Sequence, residues 1–292
     1  MNAEIINEKI EQLLILQQEE INGYHTYKRL AEIIKDKKNS KVIKKISEEE
    51  LKHYEIWKKY TGKDVKPNRA KINFFFWVSR IFGLTFGIRL MELGEEKVQV
   101  VYQSLIESVP EAAKVLADEE KHEDELLDML DEEGLQYAGS VVLGLNDALV
   151  ELTGALAGLT FAFQNSRLIA LAGLITGISA AFSMAASEYL STKSEDSEQN
   201  PVRSAVYTGV AYLFTVAMLV LPYLLATNYY ISLGWTLLNA ILIIAVFNYY
   251  ISVAKGYDFK KRFLEMAGIS LGVAAFSFLI GNLIRTWIGI DI

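Results

Sequence analysis

The sequence has no cysteine, and only three of its 292 residues are histidine. The absence of cysteine excludes disulfide bonds, thiolate zinc sites, iron–sulfur clusters and rubredoxin-type iron centres. A basic surplus is missing too, because 29 Lys and Arg stand against 36 Asp and Glu, a formal net charge of −7. No basic patch stands out from this acidic balance, so nucleic acid is not expected as a partner.

The charge is distributed unevenly along the chain. Residues 1–136 hold 27 acidic residues, 21 basic residues and all three histidines, whereas the remaining 156 residues hold only 9 acids and 8 bases. The N-terminal stretch MNAEIINEKIEQLL lacks the long apolar core of a signal peptide, so we expect the charged half to stay in the cytoplasm. The sequence therefore predicts two domains, at 1–134 and 137–292.

Long apolar runs fill the second domain. A helix that spans a bilayer needs about 20 mostly apolar residues. Five such runs lie at 138–163, 168–190, 204–226, 231–253 and 263–287. Five runs in series predict an all-α domain with five transmembrane helices, embedded in the lipid bilayer of the cell membrane.

Basic residues near the ends of these runs predict the orientation. With the charged domain in the cytoplasm, the outer connectors and tail carry only Arg167 and Arg285. The inner connectors carry Lys193, Arg203, Lys255, Lys260, Lys261 and Arg262. The positive-inside rule favours this arrangement, with a cytoplasmic N-terminal domain and an external C-terminus.

Acidic residues interrupt the first two apolar runs. Asp147 and Glu151 stand at i and i+4 in the first run, and Met184 and Glu188 repeat this spacing in the second. A carboxylate at membrane depth is costly and usually marks an ion or proton path. A thioether facing Asp147 would add a soft ligand for a late first-row divalent ion. We therefore predict that these four residues line a transport path; the alternative for Asp147 is a structural role at the membrane interface.

The charged domain has the pattern of a four-helix bundle with one long crossover. Apolar periodicity predicts helices at 3–35, about 41–61, about 86–106 and 110–131. Asn39-Ser40 is the expected start of the second helix, and Gly62 is its expected end. The crossover contains an aromatic segment, KINFFFWVSRIFGLTFGIRL, at 71–90. This segment either packs on the bundle or lies in a membrane interface, and both alternatives stay open.

Two of the predicted helices carry Glu-x-x-His, a spacing that puts both side chains on one helix face. The other two helices each carry an acid near mid-length, and folding each helix pair at its turn brings all four acids to similar depths. Two metal ions a few ångströms apart need bridging carboxylates and completing histidines. The predicted ligands are Glu20, Glu50, His53, Glu95, Glu119 and His122. They would hold a di-iron centre, with Mn or Zn as alternative ions.

Two tyrosines repeat one spacing. Tyr27 follows Glu20 by seven residues, and Tyr102 follows Glu95 by seven. Seven residues make about two helical turns, so each tyrosine shares the face of its acid and is expected beside the metal site. This repeat favours Glu95 as the ligand.

Other acids near the site stay open or are expected in solvent. Glu92 and Glu96 remain alternatives to Glu95 as a ligand. Asp118 and Glu125, on the fourth helix, are expected to face solvent.

These motifs carry two resemblances. Residues 1–132 resemble the rubrerythrin and ferritin-like di-iron proteins through both Glu-x-x-His motifs and both Glu/Tyr pairs. Residues 137–290 are similar to the vacuolar iron transporter family through VVLGLNDALVELTG and GISAAFSMAASEYLS. The fusion resembles the membrane-bound ferritins, which are linked to iron export. The resemblance implies a homodimer, an ion path near the first two spans, and exchange of ferrous iron against protons.

One departure from that family concerns the connector after the second span. Eukaryotic members insert an acidic, helical metal-binding domain there, whereas this chain has only the short STKSEDSEQNPVR. We expect the N-terminal domain to take over metal capture. The absence of rubredoxin-like cysteines removes the usual electron relay for peroxide reduction.

Three functions follow as expectations. The first is an exporter of Fe(II), with Mn(II) as an alternative cargo, that works by proton antiport. Its di-iron domain would capture, oxidise or sense iron. The second is a membrane-tethered di-iron ferroxidase whose apolar domain is mainly an anchor, and the third is a transporter that its N-terminal domain gates. No catalytic residue is assigned.

Overall fold

The computed structural model describes residues 3–106, 109–128, 137–195 and 199–288. Within these ranges the chain forms ten α-helices and no β-strand, which confirms the all-α class. The chain divides into two compact units, Met1–Glu132 and Glu133–Ile292.

The first unit contains five helices. They are α1 (Ala3–Ile33), α2 (Lys37–Thr61), α3 (Arg69–Phe82), α4 (Leu84–Leu105) and α5 (Pro110–Asp128). α1 packs along α2, and α5 contacts both α2 and α4. The short helix α3 lies in the crossover and packs on α1 and α4. This arrangement is compatible with the predicted helical bundle, to which α3 is added.

The ends of α2 show how local chemistry sets a helix boundary. The predicted start at Asn39-Ser40 is wrong, because Asp36 caps the helix and its side chain accepts a hydrogen bond from the Asn39 amide at 2.8 Å. Asp at this position satisfies an amide that the helix itself leaves unpaired, so α2 begins at Lys37. The predicted end is confirmed: Gly62 has φ 63°, a conformation that glycine adopts without steric cost.

The second unit contains five long apolar helices. They are α6 (Ala138–Phe163), α7 (Ser166–Ser194), α8 (Pro201–Leu225), α9 (Tyr229–Lys255) and α10 (Phe259–Ile288). All five are long and apolar enough to cross a bilayer, which confirms the multi-pass prediction. The first of them, α6, contacts each of the other four. The most central helix is therefore the one that carries Asp147 and Glu151.

Close backbone approach joins α6 to α10. A side-chain carbon added at Gly281 would lie 2.5 Å from the carbonyl oxygen of Gly158. Glycine at such a crossing lets two membrane helices pack backbone to backbone, which supplies van der Waals contact where lipid offers no hydrophobic driving force.

Candidate metal centre and membrane path

Helices α1, α2 and α5 bring five of the six predicted metal ligands together. Glu20, His53 and Glu119 form one group, and Glu50, Glu119 and His122 form a second. Within each group the possible ligand atoms lie within 4.8 Å of one another. Because Glu119 belongs to both groups, the arrangement can hold two ions that share one carboxylate.

The two histidines approach the shared carboxylate in a similar way. Glu119 Oε1 lies 2.9 Å from His53 Nδ1, and Glu119 Oε2 lies 3.5 Å from His122 Nδ1. A second carboxylate faces each ring: Glu20 Oε2 lies 3.4 Å from His53 Nδ1, and Glu50 Oε1 lies 3.6 Å from His122 Nδ1. The two imidazole rings stack with their centroids 5.7 Å apart. Both rings thus turn Nδ1 toward the carboxylates between them.

The electrostatics of the cluster favour positive charge. Burial alone would lower the pKa of His53, but Glu119 and Glu20 outweigh it and raise this pKa to about 11. Burial alone would raise the pKa of Glu119, but the neighbouring imidazoles of His122 and His53 lower it to about 2. Burial and the charge of Glu119 raise the pKa of Glu20. Protons and metal ions compete for the same atoms, so this cluster is suited to exchange one for the other.

The donor set fits divalent cations. Two atoms of the cluster, Glu20 Oε2 and His122 Nδ1, are buried and make no hydrogen bond. Buried polar atoms nearly always have a partner. A carboxylate oxygen and an imidazole nitrogen are ligands that Fe, Mn and Zn accept. The two groups of side chains are therefore suited to hold a pair of such ions.

Two carboxylates that were not predicted complete the histidine contacts. Asp118 Oδ2 lies 3.4 Å from His53 Nε2, and Glu49 Oε2 lies 2.8 Å from His122 Nε2. Asp118 is exposed to solvent as expected, with 42% of its side chain accessible, and it contacts His53 as well. A carboxylate on the outer ring nitrogen fixes the orientation and raises the basicity of a metal-binding histidine. Both carboxylates could have been found in the sequence, because each stands immediately before the glutamate of a Glu-x-x-His motif.

Glu20 is held from its other side by two aromatic residues. Trp57 Nε1 donates a hydrogen bond to Glu20 Oε1 at 2.9 Å, and the Tyr102 hydroxyl donates to the same oxygen at 2.6 Å. Tyr102 thus lies beside the site, where it contacts an acid of α1. Tyr27 is buried in an apolar cluster with Leu30. Trp57 was missed because its spacing in α2 resembles that of any core residue.

The remaining predicted ligand lies in α4. Glu95 belongs to this helix, but its side chain and that of Glu96 lie outside the described residues, so their roles stay predictions. Glu92 is described and pairs with Arg89 at 3.0 Å. Burial raises the pKa of Glu92 to about 7. Glu92 is not a member of either group of possible ligands.

The acids of the membrane unit have different surroundings. Asp147 and Glu151 lie on α6, the helix that contacts all the others. The hydroxyl of Tyr212, a fully buried residue of α8, donates a hydrogen bond to Glu151 Oε2 at 3.1 Å. Asp147 is half-buried and Glu151 is exposed on the surface of this unit. Tyr212 was missed because only the packing of α8 on α6 brings it to the acid.

The two predicted path residues of α7 have different contacts. Ser140 Oγ donates a hydrogen bond to Glu188 Oε1 at 2.6 Å, which ties the end of α7 to the beginning of α6. Glu188 therefore lies nearer the end of the helices than Glu151 does. Met184 packs against the apolar core of the unit. Its approach to Asp147 stays a prediction.

The fold and the acids together describe a multi-pass membrane protein with a separate helical unit that carries a cluster of metal-ligand side chains. Residues 138–199, which include α6 and α7, match the VIT family. This is the family that the motifs of the membrane domain resemble, and the match supports membrane transport of metal ions. The match does not include the first unit. No curated protein matches the chain significantly.

Proposed function

We propose that the protein moves Fe(II), with Mn(II) as an alternative cargo, out of the cytoplasm in exchange for protons. The observation that carries the proposal is the acid pair Asp147 and Glu151 on the central helix of a stretch similar to the VIT family. Carboxylates at membrane depth are costly and are usually retained for ion or proton conduction. A carboxylate that binds a divalent cation gives up its proton, which couples the two fluxes.

The exposure of Glu151 is the reason that the proposal includes a homodimer. Glu151 lies near the middle of α6 and is exposed on the single membrane unit. A carboxylate in contact with lipid at this depth would be strongly unfavourable. A homodimer that covers this face would surround the acid pair with protein, and Tyr212 would hold Glu151 in place within it.

The first unit captures the ion in this proposal. Glu119 would be shared by two ions, while Trp57 and Tyr102 hold Glu20 with its second oxygen directed at the cluster. When bound, a pair of Fe(II) ions can supply two electrons, whereas a single ion supplies one. The protein's own contribution is to orient the ligands, and Asp118 and Glu49 do so for the two histidines.

A flux assay on the full-length protein in liposomes tests the proposal. We expect Fe(II) uptake together with proton counterflow, and we expect Asp147→Asn to abolish both. Glu265→Gln is the matched control, because it removes an acid at an exposed position of α10 and should leave the flux unchanged. Absence of flux in the wild type, or unchanged flux in Asp147→Asn, would overturn the transport proposal.

The second function is a membrane-tethered ferroxidase. The observation that favours it is the shared carboxylate Glu119, because capture of a single ion does not need a site for two. In that case the full-length protein would consume O₂ as Fe(II) is added. Glu119→Gln would stop this consumption, and no flux would occur through the membrane unit. Flux that depends on Asp147 would count against a membrane unit that is only an anchor.

A further inference from the structure

Helix α3 packs on the first unit through one face only. Ile72 and Ser79 are buried on that face. Arg29 of α1 lies 4.1 Å from the centre of the Phe76 ring and donates a hydrogen bond to Asn73 at 2.6 Å. The aromatic crossover segment therefore does pack on the bundle, which was one of its two predicted alternatives.

The other face of α3 presents large apolar side chains to the exterior. Phe74 is 55% exposed, Trp77 is 54% exposed and Ile81 is 68% exposed. Their spacing of three and four residues puts them in one stripe along the helix. Phe82, the last residue of α3, is 49% exposed. A contiguous apolar patch of this kind, bordered by polar residues, is typical of an interaction surface.

The charged residues of α3 and of the chain on either side of it are all basic. No acidic residue occurs between Asp64 and Glu92, although residues 1–136 as a whole are acidic. The same interval holds the bases Lys66, Arg69, Lys71, Arg80 and Arg89. Lys71 pairs with Glu19 and Arg89 with Glu92, whereas Lys66, Arg69 and Arg80 have exposed side chains.

We propose that α3 docks on the anionic surface of a lipid bilayer, with Phe74, Trp77 and Ile81 in the interface and the basic residues at the headgroups. An amphipathic helix with Trp and Phe on one side and bases around them has the composition of interfacial helices. Anionic headgroups complement a segment that has bases and no acids. A bilayer is also the one partner that this chain always has within reach, because the same chain carries five membrane spans. Docking would keep the metal-binding unit at the membrane surface, and it does not depend on transport.

The absence of cysteine allows a direct test. Phe74→Cys and Ile81→Cys each introduce one unique thiol for a nitroxide label in the full-length protein. Lys44→Cys, at an exposed position of α2, is the matched control. Each labelled protein is reconstituted in vesicles rich in phosphatidylglycerol and in vesicles of phosphatidylcholine alone. The collision rates of the label with O₂, which concentrates in lipid, and with a water-soluble paramagnetic chelate are then measured.

We expect labels at positions 74 and 81 to collide more with O₂ than with the chelate in the anionic vesicles, and the label at 44 to show the opposite. Labels at 74 and 81 that are as accessible to the chelate as the label at 44 would overturn the proposal. Labels at 74 and 81 that are shielded from both O₂ and the chelate, with dipolar broadening between two copies, would also overturn it, because a second copy would then cover the stripe.

A charge variant tests the preference for anionic lipid separately. In the Ile81→Cys background, Arg69→Gln with Arg80→Gln should reduce the ratio of O₂ to chelate collisions in phosphatidylglycerol vesicles severalfold, toward its value in phosphatidylcholine. A ratio that does not change would contradict the role of the basic residues. Metal content of the same preparations, unchanged from wild type, shows that the first unit is folded.

Discussion

The two units of this protein surround their acidic residues in opposite ways. In the first unit, the carboxylates of Glu20, Glu50 and Glu119 lie against two histidines inside a helical bundle. The membrane unit has no histidine, and its acid Glu151 is met by a tyrosine hydroxyl instead. Imidazole and shared carboxylate together make a strong site for late first-row metals, whereas carboxylate and hydroxyl make a weaker one. The difference suits one unit to holding an ion and the other to releasing it.

Removal of the shared carboxylate should have the largest effect, because it weakens metal binding in the first unit. Glu119→Gln takes a ligand from both groups, so we expect the affinity for Fe(II) or Mn(II) to fall by more than about 100-fold. The measurement is metal titration of the full-length protein. Glu120→Gln, which changes the exposed acid next in sequence, is the control and should bind normally. Equal affinities in the two variants would show that Glu119 is not a ligand.

Changes to the carboxylates at Nε2 of the two histidines should lower the metal affinity by a smaller factor. Glu49→Gln and Asp118→Asn keep all direct ligands but weaken the orientation of His122 and His53, so we expect a loss of affinity of about 10-fold to 100-fold each. Glu48→Gln, at an exposed neighbouring position, should change nothing. If both variants bind as tightly as the wild type, the contacts at Nε2 have no part in metal binding.

A change in the membrane unit should alter flux and leave metal binding in the first unit intact. Tyr212→Phe removes the hydrogen bond to Glu151, which is worth about 1.5–3 kcal/mol when the acceptor is charged, so we expect a flux reduction of about 10-fold to 100-fold. Tyr207→Phe, a change of a tyrosine elsewhere on α8, is the control. The same two preparations should show the metal content of the wild type. A fall in bound metal with unchanged flux would reverse the roles assigned to the two units.

The smallest effect expected concerns packing rather than ions. Gly281→Ala would put a methyl group against the backbone of Gly158, so we expect a loss of about 1–3 kcal/mol in the stability of the membrane unit. Gly272→Ala is matched to it, because nothing lies within 4 Å of the added carbon. Thermal unfolding in detergent should separate the two. Equal midpoints would mean that α6 and α10 can move apart at no cost.

Local patterns were sufficient for much of the fold. Apolar runs of about 20 residues predicted five membrane helices, and the 3.6-residue period with Gly62 and Pro110 as boundaries predicted the helices of the bundle. The start of α2 was predicted wrongly because Asp36, Asn39 and Ser40 are all good caps, and the sequence alone does not rank them. The helix α3 in the aromatic segment was not predicted, and the packing of this segment on the bundle was predicted only as one of two alternatives.

Spacing within one helix determined half of the candidate metal centre. Glu-x-x-His places a glutamate and a histidine on one face whatever surrounds the helix, so Glu50 with His53 and Glu119 with His122 could be selected directly. Contacts between helices were decided only by the tertiary structure. These include the sharing of Glu119, the carboxylates Asp118 and Glu49 behind the histidines, and Tyr212 on Glu151. The physical reason is that a helical period specifies which side chains share a face, whereas the relative shift and rotation of packed helices specify which faces meet.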